Sequence, residues 1–121
     1  MLNFRSLEDL ENVSKDRKFL DDLIVDFIVE NKKMLAALEK SIIDSDQQKF
    51  LEIVHSLKGS ALSVGAVSLK MICKRLEKID QLLIENYPKE IMYQINQAFG
   101  LLCEQLEKYR QWRNQRSYEE D

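Results

Sequence analysis

Apolar residues recur at intervals of three and four along almost the whole of this chain, and only three glycines and one proline stand in 121 residues to interrupt them. That spacing is the period of a helix buried on one face, and nowhere does it give way to a sustained alternation of the strand type. With 32% charged and 45% hydrophobic residues, the chain has the makeup of a helical bundle rather than of a sheet protein or a disordered one. At this length it closes one core, so a single domain over residues 1–121 is expected.

The breaks in the period divide the chain into four long helices. Ser6-Leu-Glu-Asp9 resembles a helix start, which adds a short leading helix at one end of the bundle. The first long helix is expected over about residues 15–43, with Phe19, Leu20, Leu23, Phe27, Met34, Leu38 and Ile42 inward. Ile24, Val25, Ile28 and Val29 widen that stripe beyond one seam, which fits either a deeply buried helix or apolar surface offered to a partner. Asp44-Ser45-Asp46 stops the pattern, and Ser45-Asp-Gln-Gln48 has the form of a capping box for the second helix.

Gly65 is placed to end that helix, because glycine takes the left-handed conformation a helix terminus often needs. A third helix is expected over about residues 66–85, with Leu69, Ile72, Cys73, Leu76, Ile79 and Leu83 inward. Asn86-Tyr-Pro88 is the next break, and Pro88 suits the first turn of a fourth helix, where its missing N–H has no partner to lose. Ile91, Ile95, Ala98, Phe99, Leu102, Leu106 and Tyr109 form its stripe, and the tail from about residue 112 is expected to fray. Short connections force neighbouring helices antiparallel. The fold class is therefore all-α: an antiparallel up-down four-helix bundle with a short extra N-terminal helix.

A net charge of −3, with the basic residues scattered among acids, leaves no excess to neutralise a phosphate backbone, so nucleic acid is not an expected partner. No apolar run approaches the roughly 20 residues of a membrane span, and the start MLNFRSLEDLENVSKD is too acidic and broken for a signal peptide. A cytoplasmic location is the expectation. Cys73 and Cys103 sit at apolar positions of their helices, where a thiol packs as a small hydrophobe, and nothing in their placement calls for a disulfide.

The stretch HSLKGSALSVGA, residues 55–66, holds the chain's one histidine. On the second helix Phe50, Val54, Leu57, Ala61 and Val64 make the seam. At roughly 100° per residue, His55 lies about 140° from the centre of that seam and faces solvent. Lys58 and Gly59 stand one turn on, on the same face, with Leu51 and Leu62 above and below. A glycine inside a helix costs roughly 1 kcal/mol relative to alanine, and leucines on the wet side add nothing to the core. These local costs make sense where another protein docks: glycine clears the approach to the imidazole and the leucines give dry contact around it. Each feature also has an ordinary explanation, since surface histidines and lysines are common and a glycine can serve close helix packing.

An exposed imidazole, mostly neutral at cytoplasmic pH, is a competent nucleophile. Ser56 points elsewhere around the helix, so a hydrolytic triad is not formed. A phosphoryl group on the histidine brings about two negative charges, which Lys58 is placed to offset as a point charge.

His55-Ser-Leu-Lys58-Gly59-Ser60-Ala61, followed by Gly65-Ala66, Leu69 and Cys73-x-x-Leu76-Glu77, resembles the signature of histidine-containing phosphotransfer (HPt) domains. Chain length, four helices and the motif on the second of them all agree with it. The resemblance implies a phosphorelay intermediate: His55 accepts a phosphoryl group from a phospho-aspartate on a receiver domain and passes it to an aspartate on another. Lys58 then stabilises the phosphohistidine and Gly59 gives clearance to the receiver. The face argument adds Leu51, Leu62, Ile24 and Ile28 as candidate docking surface. No cofactor of its own is implied, because Mg²⁺ belongs to the receiver's acidic site, and no glycine-rich nucleotide loop exists for ATP. The implied partners are response-regulator receiver domains and a hybrid sensor histidine kinase, met by a monomer.

Two rival readings have distinct signatures. Glu52-Ile-Val-His55 is the E-x-x-H pair of di-iron bundles, but such a site needs two of these motifs aimed into the core, and here the one histidine turns outward; no metal is expected. A non-catalytic adaptor bundle would bind a partner through the same face and be indifferent to loss of the imidazole.

Overall fold

The computed structural model describes residues 17–119, with side chains over residues 19–113. Its helices are α1 (Arg17–Ile43), α2 (Gln47–Val64), α3 (Val67–Glu77), α4 (Gln81–Asn86) and α5 (Pro88–Glu119), with no strand among the described residues. α1 and α3 each pack against both α2 and α5, which closes a ring of four, and α4 lies on α5. The short turns between them make this the expected up-down four-helix bundle. The leading helix expected at Ser6 lies outside the described residues.

Each turn follows from a few residues. Ser45 takes a left-handed conformation (φ 54) at the end of α1, and the amides of Ser45 and Asp46 donate back to the carbonyls of Ile42 (3.1 Å) and Ser41 (2.9 Å). The cap of α2 is accordingly Asp46 rather than Ser45, its carboxylate accepting from the Lys49 amide at 3.1 Å. Ser45 is used up in closing the preceding helix and cannot also cap the next. Gly65 ends α2 as expected, at φ 69, with Gly65 and Ala66 donating to Leu62 and Ala61. Pro88 opens α5.

The third helix is not continuous. It stops at Glu77 and resumes at Gln81, where Asp80 accepts the Leu82 amide at 2.9 Å. A short acidic side chain binds a nearby backbone amide more readily as a cap than within a helix, and the break changes the phase: Leu83, expected inward, is exposed, and Ile84 is buried instead.

On α2 the seam is as read, with Phe50, Val54, Leu57, Ala61 and Val64 all buried and Ile53 joining them. The seam of α1 is rotated from the expectation. Leu20, Ile24, Phe27, Leu35 and Leu38 form it, while Phe19 is exposed and Leu23, Met34 and Ile42 are only partly covered. At its centre sits Asn31, fully buried, whose Nδ2 donates to the Phe27 carbonyl (2.8 Å) and to Ser60 Oγ on α2 (2.9 Å). At the other side of α1, Asp21 accepts from Arg113 (2.6 Å) and Arg110 (3.2 Å) of α5. The α5 helix runs to Glu119, and the Arg113 side chain ties it to α1.

Candidate phosphotransfer site

Because six buried apolar side chains fix how α2 is rotated, the opposite face of that helix has a fixed direction. His55 stands there with its side chain 78% exposed, and Leu51 and Leu62 flank it, both exposed. Gly59 lies one turn on, and a Cβ placed there would meet no atom of a neighbouring side chain or helix within 4 Å. The glycine therefore answers no packing need inside this chain, and the close-packing explanation fails. Ser56 donates to the Glu52 carbonyl (3.2 Å), so it is turned along its own helix and away from the imidazole.

Lys58 does not stand free. It crosses the groove to α3, where its Nζ meets both carboxylate oxygens of Glu77, at 2.8 Å and 2.9 Å. The same carboxylate approaches His55, with Nδ1 at 3.6 Å from Oε1, a separation longer than a hydrogen bond. The hydrogen bond from Lys58 holds the Glu77 carboxyl below its ordinary range; partial burial opposes this, while the Lys58 charge and His55 add to it. Glu77 thus ties the imidazole and the ammonium into one cluster. Sequence reasoning gave Glu77 no role: it is distant in the chain, and only the antiparallel packing of α2 on α3 brings it opposite Lys58.

Beneath the cluster, the Cys73 thiol is pushed up to about 11, chiefly by burial, then by the Glu77 charge, with Lys58 pulling the other way. It stays a protonated core side chain. Among the described residues no group of three or more His, Cys, Asp or Glu side chains is placed to hold a metal ion. No described helix is long and apolar enough to cross a membrane.

His55, Lys58, Gly59, Leu51 and Leu62 come together on one face. Ile24 does not: it is fully buried in the core and cannot dock anything. Ile28 is half-buried against that core. Of the four residues that widened the α1 stripe, Ile24 is buried and Ile28 half-buried, whereas Val25 and Val29 are exposed.

A cluster of this kind on the second helix of a four-helix bundle defines a class, and the Hpt domain family matches residues 22–112. The chain belongs to that family and is a phosphotransfer intermediate of two-component signalling. Among solved structures, it is similar to the crystal structure of histidine-containing phosphotransfer protein B (HptB) from Pseudomonas aeruginosa PAO1. The two share 26% identity and a TM-score of 0.78, over 91% of this chain and 94% of that one. A search of curated protein sequences finds no significant match. Proteins of the Hpt family work with receiver domains and kinases in phosphorelays and carry phosphoryl groups without kinase activity of their own.

Proposed function

We propose that this protein relays a phosphoryl group between two receiver domains, taking it onto His55 from one phospho-aspartate and giving it to another aspartate. The observation that carries the reading is an imidazole standing clear of a bundle surface beside a glycine that no internal contact requires.

The chemistry follows from which ring nitrogen faces what. Glu77 lies by Nδ1, and a carboxylate there favours the tautomer with its proton on Nδ1. The lone pair of Nε2 then points to solvent. It attacks the phosphorus of an aspartyl phosphate; the P–N bond forms as the P–O bond to the carboxyl breaks, and the electron pair leaves with the aspartate. In the onward step an aspartate oxygen attacks and the pair returns to Nε2. Lys58 supplies positive charge beside the transferring group, and the receiver's own acidic site brings the divalent cation. Gly59, Leu51 and Leu62 shape the surface on which a receiver seats, with a hybrid kinase as the source of the phosphoryl group and the protein acting as a monomer.

The test is transfer of labelled phosphoryl from a phosphorylated receiver domain to the parent protein and to the His55→Gln variant. Acid-labile label on the parent and none on the variant is the expected result. A folded parent that takes no label from several receivers would leave the face around His55 as a docking surface without chemistry.

A further inference from the structure

In the unphosphorylated protein the cation beside His55 is already engaged. Lys58 spans both oxygens of Glu77, at 2.8 Å and 2.9 Å, and the two side chains are only 21% and 24% exposed. That is a bidentate, three-quarters covered pair rather than a loose surface contact. One of the same oxygens lies 3.6 Å from His55 Nδ1. A phosphoryl group on Nε2 brings about two negative charges within a ring's width of this carboxylate. Glu77 then acts against the new group twice, by direct repulsion and by competing for the only described ammonium paired at the cluster.

We infer that Glu77 sets the transfer potential of the phosphohistidine: it competes for Lys58 and opposes the phosphoryl group with like charge, so that phosphorylated His55 is a ready donor rather than a resting store. The inference rests on the phosphotransfer reading and deepens it. Glu77 makes no bond to phosphorus in either half of the relay. It is a positioning residue that raises the free energy of the state between the two transfers. One carboxylate against two phosphoryl charges, at that separation and in largely aqueous surroundings, amounts to a shift in equilibrium on the order of tenfold, and less as salt screens it.

Phosphoramidate tests this without any receiver. Its phosphorus is attacked by Nε2, the P–N bond to the amine breaks and ammonia leaves, so the partition at fixed ammonium reports the stability of the phosphohistidine directly. The fraction phosphorylated is read by ³¹P NMR in the parent, Glu77→Gln and Glu77→Asp at low and high salt. Expected are a partition constant on the order of tenfold larger in Glu77→Gln, a value near the parent's in Glu77→Asp, and a gap that narrows at high salt. An unchanged or smaller constant in a Glu77→Gln protein with parental circular dichroism overturns the inference. So does an equal shift in both variants, which would mean shape rather than charge. Failure of the relay reading shows itself differently, as a parent that accepts no phosphoryl from receivers while still reacting with phosphoramidate.

Discussion

Replacing Gly59 by leucine should make the protein more stable and worse at its task, and the two effects have separate physical origins. Gly59 lies well inside α2 with helical neighbours on both sides, so the substitution gains helix propensity of roughly 0.5–1 kcal/mol. No clash at the first side-chain atom offsets this gain, because a Cβ at that position meets no atom of a neighbouring side chain or helix within 4 Å. For a domain of this size the gain corresponds to a melting temperature higher by about 2–4 °C. The same side chain fills the space one turn from His55 on the exposed face, where a receiver must bring its aspartate to within bonding range of Nε2. Misplacing reacting groups by about an ångström costs up to about a hundredfold in rate, so a fall in transfer rate of roughly ten- to a hundredfold is expected. Thermal unfolding and stopped-time transfer from a phosphorylated receiver read the two effects on one sample. A Gly59→Leu protein that is less stable refutes the claim that the glycine is internally unneeded. One that transfers at the parental rate refutes the clearance argument.

Three further outcomes are expected. Glu77 titrates below the ordinary 4.5 when folded, so its pairing stabilises the protein at and above that pH and is lost as the pH falls through the folded value; Lys58→Met should flatten the acid limb of a urea-midpoint profile, and an unchanged limb would show that the pair does not contribute. Cys73, pushed from 9.0 to about 11, carries about a hundredfold less thiolate than an ordinary cysteine, so in the native protein a thiol reagent should modify half-buried Cys103 first, with Cys73 reacting at speed only on unfolding; equal native rates would contradict the burial. Asp21→Asn weakens the attachment of both Arg110 and the buried Arg113 to α1 and should cost about 1–3 kcal/mol by urea denaturation, with a loss under about 0.5 kcal/mol showing that the attachment is incidental.

The fold class and the direction of the histidine were legible because α2 has one narrow apolar seam, and a narrow seam permits a single rotation. The first helix was read with the wrong rotation for the opposite reason. Apolar residues such as Ile24, Val25, Ile28 and Val29 surround it, so periodicity admits several faces, and the residue at the centre of the true face, Asn31, is polar. What selects that face is the hydrogen bond from Asn31 to Ser60, a contact between helices with no trace in local spacing. The break before Asp80 was visible only as one more aspartate, since an acidic residue serves as well on a helix surface as at a cap. Glu77 escaped for a related reason: its place in the signature could be quoted, but its partner depends on how α2 and α3 lie together.

The arrangement also explains why the site tolerates local choices that a stable helix would avoid. Gly59 weakens α2, and Leu51 and Leu62 face outward, yet the helix is held by buried apolar residues over nearly its whole length and by defined caps at Asp46 and Gly65. Those anchors lie on the inner face and at the ends, where they cannot interfere with docking. The outer face is therefore free to be shaped by a partner and by phosphoryl chemistry. The one strong interaction it does contain, Lys58 with Glu77, ties α2 to the last residue of α3, just before the helix ends at Lys78. A change in the charge on His55 thus acts on a contact at the end of a helix, where the backbone can yield, rather than on one in the core, where it cannot.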